Sequence, residues 1–174
     1  MAEDEQILLK TSRFDVVERL VDAGPDRPAV ARQVILHPGA VTIVPLLEGN
    51  RVCLIRNYRV AVTKTLIELP AGTIDPNEPP SVTASRELQE ETGYTADRWQ
   101  ELPAFYMSPG ILNERMYVFV AEGLQRGDPA REAGEQIENL VVDWQEAVTM
   151  VERGEIEDAK TIVAILMWDR LRKS

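Results

Sequence analysis

The chain has very few side chains that support thiol or imidazole chemistry. Its 174 residues include one cysteine, Cys53, and one histidine, His37. A single cysteine excludes a disulfide within the chain, and the apolar setting RVCLIRNY is typical of a buried, inert thiol. His37 precedes a proline at the start of a predicted strand, which favours a structural role. Acid–base chemistry is therefore expected to fall mainly to the 29 carboxylates.

Long apolar segments and an excess of positive charge are also missing. No apolar run approaches the ~20 residues that cross a bilayer, and the acidic start MAEDEQ lacks the apolar core of a secretory signal. The net charge is −10 and the pI is about 4.7, so the chain repels nucleic acids and anionic membranes. These features predict a cytoplasmic protein with no nucleic-acid or membrane partner.

The apolar pattern predicts a mixed α+β fold. Predicted strands and hairpins lie at residues 7–20, 29–36, 40–59, 63–72, 104–110, 115–124 and 137–144, and predicted helices lie at 79–92, 144–153 and 158–172. This order favours an α/β/α sandwich with a mixed sheet over a regular βαβ repeat. We expect an N-terminal strand extension over residues 1–38 and a main domain over residues 39–174.

Three glutamates cluster at the end of the predicted helix 79–92. In RELQEETG, Glu87 and Glu91 are four residues apart on one helix face, and Glu90 lies beside them. These charges oppose one another and the negative end of the helix dipole, at a cost of about 1–3 kcal/mol. The cluster is either a solvated acidic surface or a site for divalent cations, in which case oxygen ligands favour Mg²⁺ or Mn²⁺ over zinc.

The spacing around this cluster is specific. Gly72 stands six residues before Glu78, and Glu78 stands eight before Arg86. The run GTIDPNEPPSVTASRELQEETGY, residues 72–94, resembles the Nudix box at every defined position. The resemblance implies the Nudix α/β/α sandwich and hydrolysis of a nucleoside diphosphate that is linked to another group.

The resemblance also implies a role for each box residue. Its metal ligands are expected to be the carbonyl oxygen of Ala71 and the side chains of Glu87, Glu90 and Glu91. Arg86 would orient the glutamates, which places Arg86 and Glu90 in the catalytic set. Gly72 would allow a tight turn, and Glu78 would organise the loop or bind an outer metal.

Motifs outside the box resemble the ADP-ribose pyrophosphatase branch of that family. They are IELPAG, FYMSPG, HPGAV, RNYR and GEIEDAKTIVAIL. This branch implies Mg²⁺-dependent cleavage of ADP-ribose to AMP and ribose 5-phosphate. The alternatives are another nucleotide sugar, such as GDP-mannose or ADP-glucose, a sensor that binds a nucleotide without cleaving it, and a prenyl diphosphate isomerase, which would need a reactive cysteine.

The branch implies further site residues outside the box. The general base is expected in the loop DPAREAGEQIENL, with Glu135 as the best positional match and Glu138 as its rival. Arg59, Arg32 and Glu114 match positions that contact substrate, and Arg56 is a second possibility on the same strand.

Two expectations concern the N-terminal residues. Related enzymes stack adenine on N-terminal aromatics, but the first 57 residues here contain one aromatic, Phe14. Enzymes of this branch are usually homodimers that share N-terminal strands, and residues 7–36 are expected to play that part.

Overall fold

The computed structural model describes residues 5–130 and 136–173, which contain ten strands and three helices. The strands are β1 (Glu5–Lys10), β2 (Asp15–Val21), β3 (Val30–Leu36), β4 (Ala40–Leu47), β5 (Arg51–Arg59), β6 (Lys64–Glu68), β7 (Ala71–Thr73), β8 (Tyr94–Tyr106), β9 (Arg115–Arg126) and β10 (Ile137–Asp143). The helices are α1 (Pro80–Thr92), α2 (Trp144–Glu152) and α3 (Ala159–Leu171). None of these helices is long and apolar enough to cross a membrane.

The strands form two sheets. β1, β2 and β3 make an antiparallel sheet in that order. The larger sheet has the order β10-β5-β4-β9-β8, with β6 paired to β5 and β7 paired to β4. β4 and β9 run parallel while their other neighbours run antiparallel, so the sheet is mixed. The predicted α+β fold with a mixed sheet is confirmed.

The larger sheet lies between two helical layers because its strands alternate in the direction of their side chains. From β4, Val41 and Ile43 pack with Leu88 of α1. Val44 points the other way, into the cluster that contains Trp144 of α2 and Ile165 of α3. All of these side chains are buried, and truncation of such a residue to alanine typically costs about 2–5 kcal/mol.

Helix α1 has sharp limits at both ends. Pro80 occupies its first position, where a missing N–H is tolerated. Gly93 ends it in the left-handed conformation with φ 79°, and its N–H donates to the Gln89 carbonyl at 2.9 Å. A side chain at residue 93 would also lie 2.7 Å from the carbonyl oxygen of Gly127. The glutamates of α1 are therefore fixed in the last turns of a well-bounded helix.

Three segments differ from their predicted form. The predicted strand at residues 63–72 divides into β6, which pairs with β5, and β7, which pairs with β4. Residues 7–20 form parts of two strands, because Thr11 binds the backbone of Phe14 and turns the chain. Strand β8 begins at Tyr94, ten residues before the predicted start at residue 104. Its sequence is polar and contains Pro103, but pairing with β9 and a bulge between Leu102 and Phe105 accommodate it.

The two sheets meet near the end of β3. The N–H of Ile35 donates to Ile111 at 2.9 Å, and the Ile35 carbonyl accepts from Asn113 at 3.2 Å. The first sheet ends at Leu36 and the larger sheet starts at Ala40. The division into domains at residue 38 stays a prediction.

Candidate active site

Two carboxylates of α1 lie against the short strand β7. Glu91 is only 3 % exposed, and its Oε2 accepts a hydrogen bond from the N–H of Ala71 at 2.9 Å. A Cβ at Gly72 would lie 1.9 Å from Cδ and Oε1 of Glu87. The φ of Gly72 is outside the left-handed region, so the glycine provides room for the Glu87 carboxylate rather than the tight turn that we predicted.

Arg86 holds the remaining acids of the cluster. Its guanidinium donates to Oε1 of Glu87 at 2.8 Å, to Oε2 of Glu90 at 2.9 Å and to Oε2 of Glu78 at 3.1 Å. The Glu78 hydrogen bonds raise the pKa of Arg86 against the opposing effect of burial. Hydrogen bonds from Arg86 and then Thr83 lower the pKa of Glu78. Oδ2 of Asp75 lies 3.8 Å from the same guanidinium. One guanidinium therefore faces four carboxylates, and the cluster keeps a strong negative charge.

The donor chemistry of this cluster fits a hard divalent cation. Its side-chain donors, Glu87, Glu90 and Glu91, are all carboxylates, the ligand type that Mg²⁺ and Mn²⁺ prefer. The carboxylate of Glu87 occupies the space that a Cβ at residue 72 would fill. No three acidic, His or Cys side chains within residues 5–130 and 136–173 already surround a common metal position. Arg86 holds oxygens of Glu87 and Glu90, so a cation would compete with its guanidinium for them.

The cluster opens into a cavity of about 1030 Å³. One wall consists of the box loop 71–76 and the carboxylates of α1, and a second consists of residues 57–60 at the end of β5. The third wall belongs to the other sheet, because the turn at residues 10–15 faces the carboxylates. Phe14 in that turn is 37 % exposed. Thr11 fixes its backbone with hydrogen bonds of 2.6 and 3.0 Å.

A known protein family matches most of the chain. The NUDIX domain family matches residues 36–164. The chain belongs to the Nudix family. The resemblance that the box predicted, and the expectation that the protein is an enzyme of this hydrolase family, are therefore confirmed.

Individual relatives extend over most of the Nudix chain. An ADP-ribose pyrophosphatase of Bacillus subtilis is 38% identical over 81% of this chain and 77% of its own length. An ADP-ribose pyrophosphatase of Mycobacterium tuberculosis is 37% identical, over 82% and 70%. A GDP-mannose pyrophosphatase of Enterobacter is 35% identical, over 73% and 71%. A crystal structure of an ADP compounds hydrolase shares the fold, with a TM-score of 0.80 and 23% identity over 98% of this chain and 92% of that one.

Arg59 lies on the cavity wall, and its guanidinium is bound by Glu68, which does not line the cavity. Its Nε and Nη2 donate to the two carboxylate oxygens of Glu68 at 2.8 and 2.6 Å. Those hydrogen bonds raise the pKa of Arg59 against the effect of burial. Burial opposes ionisation of Glu68, but Arg59 and Lys160 outweigh it, so the pKa of Glu68 lies below its ordinary value. Nη1 of Arg59 has no hydrogen-bond partner in the described part of the chain.

Asn57 lines the cavity, but the sequence analysis did not predict it as a site residue. It is 7 % exposed and lines the cavity next to Arg59. Its amide makes no hydrogen bond to any described residue. One sequence signal could have identified Asn57. Strand alternation places its amide on the same face of β5 as the buried Ile55, and positions on such a face are normally apolar.

Other predicted substrate contacts lie at or beyond the rim. Arg32 is exposed on β3, opposite Arg19, and does not line the cavity. Glu114 also lies outside the lining, but its Oε1 is 3.9 Å from Nδ1 of His37, which does line it. Nδ1 of His37 accepts the N–H of Gly39 at 3.1 Å.

The predicted general base falls outside the described residues. Glu135 is one of the residues 131–135, while the next residue, Gln136, lines the cavity. Its rival Glu138 is exposed on β10 opposite Arg56. Strand alternation turns Glu138 to the face opposite that of Ile137, whose strand partner is the cavity residue Asn57.

The position of the cysteine argues against thiol chemistry in this cavity. Cys53 is completely buried in β5 and is not one of the residues that line the cavity. An isomerase mechanism that uses this thiol has no support in the structure.

Proposed function

We propose that this Nudix enzyme hydrolyses the diphosphate bond of ADP-ribose, with Mg²⁺, to give AMP and ribose 5-phosphate. The observation that carries the proposal is that the carboxylates of α1 and the aromatic residue Phe14 line the same cavity. A nucleotide sugar has the matching parts, since a diphosphate separates a flat base from a second sugar.

The size of the cavity supports an extended substrate. Small-molecule sites usually measure about 300–1,000 Å³, and this one is about 1030 Å³. Its charges also suit a diphosphate: Arg59 and Arg86 line it together with the acids that would hold the cation. Because Arg59 already has its carboxylate partner behind it, its remaining N–H groups are available to phosphate oxygens.

Glu87, Glu91 and Glu90 would hold the divalent cation together with the Ala71 carbonyl, and Mn²⁺ is the natural substitute for Mg²⁺. When bound, the cation supplies positive charge that neutralises the diphosphate oxygens and favours attack by water. Arg86 keeps Glu87 and Glu90 oriented through its hydrogen bonds. Glu135 would act as general base and take the proton from the attacking water.

Phe14 is the proposed platform for the base. Stacking of a base on an aromatic ring contributes roughly 1–3 kcal/mol. We expect Phe14→Ala to raise the KM for ADP-ribose about tenfold or more, and Phe14→Tyr to stay near the wild type because it keeps the ring. If Phe14→Ala leaves the KM unchanged, the base binds elsewhere.

The experiment that tests the function is a substrate panel. The purified enzyme is given ADP-ribose, GDP-mannose, ADP-glucose, a dinucleoside polyphosphate and NADH, each with Mg²⁺, with Mn²⁺ and with a chelator, and the products are separated by chromatography. We expect AMP from ADP-ribose with the highest kcat/KM and no product with the chelator. A higher kcat/KM for GDP-mannose would move the assignment to that substrate, and no turnover of any compound would refute the hydrolase.

We also propose that the enzyme is a homodimer formed through the N-terminal sheet. Ile7, Leu8 and Leu9 on its edge strand β1 are each about half exposed. The backbone N–H and C=O groups of an apolar edge strand can pair with a strand from another chain. A second copy of the chain supplies a matching edge. We expect a dimer by light scattering at micromolar concentration and a monomer for the double variant Ile7→Glu, Leu9→Glu. A wild-type monomer would refute this proposal and leave the catalytic assignment intact.

A further inference from the structure

A buried ion network lies directly behind the cavity. Glu68 is completely buried, and its Oε2 accepts from both Arg59 and Lys160 at 2.6 Å. Oε1 accepts from Arg59 at 2.8 Å. Three N–H donors therefore converge on one carboxylate, which fixes its plane and with it the direction of the Arg59 guanidinium.

The N-terminus of α3 supplies the other half of the network. Nζ of Lys160, which is 7 % exposed, lies 2.9 Å from Oδ2 of Asp158. Asp158 caps the helix by accepting from the N–H of Thr161 at 3.0 Å and from its hydroxyl at 2.6 Å. The Thr161 oxygen in turn accepts the N–H of Leu69 at 2.8 Å. Two cations and two anions balance, so removal of one leaves a buried charge without its partner.

The network extends to the residues that line the cavity. Glu68 and Leu69, which α3 holds, come just before Ala71, whose N–H binds Glu91. Arg59 faces the cavity, with its side chain 36 % exposed on that side of the network. Lys160 itself does not line the cavity. Glu68 contacts both Lys160 and Arg59, so an effect of Lys160 on the direction of Arg59 passes through this carboxylate.

We propose that Lys160 is a positioning residue that holds the Arg59 guanidinium, through Glu68, in the direction that binds the diphosphate oxygens of the substrate. The proposal rests on the function proposed above. It gives the motif EDAKT at the start of α3 a part in substrate binding, in addition to the structural part that its cap plays.

The test is a double-mutant cycle between Lys160 and Arg59. Lys160→Met removes the ammonium group and keeps an unbranched apolar chain. We expect it to raise the KM for ADP-ribose about tenfold, the effect of one lost charge-assisted hydrogen bond, with kcat changed less than about threefold. Lys160→Arg, which restores the charge, should recover most of the KM. In an Arg59→Ala background, Lys160→Met should raise the KM no further.

Lys173→Met is the matched control, because Lys173 pairs with Asp169 on the surface at the far end of the same helical segment. Thermal unfolding and binding of ADP-ribose without divalent cation are measured for every variant. The positioning role is refuted if Lys160→Met lowers the melting temperature but leaves both KM and Kd unchanged, or if it acts equally with and without Arg59. A wild type that neither binds nor cleaves ADP-ribose refutes the proposed function and this role together.

Discussion

Gly72→Ala is the substitution that best separates the cation site from the stability of the fold. The new Cβ would lie 1.9 Å from Cδ and Oε1 of Glu87 and 2.5 Å from its Cγ. Non-bonded carbons stay about 3.5–4 Å apart, so the carboxylate must retreat by about 1.5–2 Å. This displacement is nearly as long as a Mg²⁺–oxygen bond, about 2.1 Å. Glu87 would therefore lose its place as a ligand.

The expected result is a large loss of activity in a folded protein. A misplacement of about 1 Å in a site can cost about 100-fold in rate, so we expect kcat/KM to fall at least that far. The concentration of Mg²⁺ for half-maximal rate should rise about 10–100-fold. The atoms that yield belong to the end of a flexible side chain and the φ of residue 72 suits alanine, so the melting temperature should change by less than about 4 °C.

The assay is a titration of hydrolysis against Mg²⁺ alongside thermal unfolding in a chelator. Gly110→Ala is the control, because a Cβ there meets nothing within 4 Å and its φ is also ordinary. Full activity of Gly72→Ala at limiting Mg²⁺ would show that the position of Glu87 does not matter. A melting temperature lowered by more than about 10 °C would show that the backbone yields instead of the carboxylate.

Three other predictions concern single carboxylates. Glu91→Gln should lower kcat by at least about 100-fold without lowering the melting temperature in a chelator, since it also removes like-charge repulsion; unchanged activity would contradict its role as a ligand. Glu135→Gln should lower kcat strongly at unchanged Mg²⁺ affinity while Glu138→Gln has little effect, and the reverse result would move the base to Glu138. The folded-state pKa of Glu68 lies below its ordinary 4.5, so its ionised form stabilises the protein above that pH and this stabilisation is lost as the pH falls through the folded value. Urea unfolding between pH 7 and 3 should therefore show a shallower loss of stability for Glu68→Gln than for the wild type, and equal slopes would contradict the shifted pKa.

The parts of the site that the sequence predicted are those set by local geometry. Glu87 and Glu91 face one way because of helical spacing, and Gly72 and Gly93 limit the segments beside them. Helical and strand periods act over a few residues, so they can be recognised in one chain without neighbours. Most strands of the larger sheet and the helices on its two faces followed from the same patterns. The exceptions are the first ten residues of β8 and the division of residues 63–72 into β6 and β7.

The remaining parts depend on contacts between distant segments. Phe14 and Lys160 reach the catalytic region from opposite ends of the chain, and neither position carries a local signal for that. Asn57 was overlooked because only the fold shows that this strand position lines the cavity. Strand β8 was missed for the same reason, since pairing with β9 outweighs the low strand propensity of its polar residues.

The meeting of the two sheets has a mechanical consequence. The turn with Phe14 belongs to the first sheet, and the glutamates lie on α1, which packs on the larger sheet. Backbone hydrogen bonds join Ile35 of the first sheet to the loop between β8 and β9 of the larger one. We therefore expect these hydrogen bonds to help set the distance between the two walls of the cavity. A nucleotide that contacts both walls would stabilise the hydrogen bonds between the two sheets. Its binding should slow amide hydrogen exchange at Ile35 and Asn113, although neither residue lines the cavity.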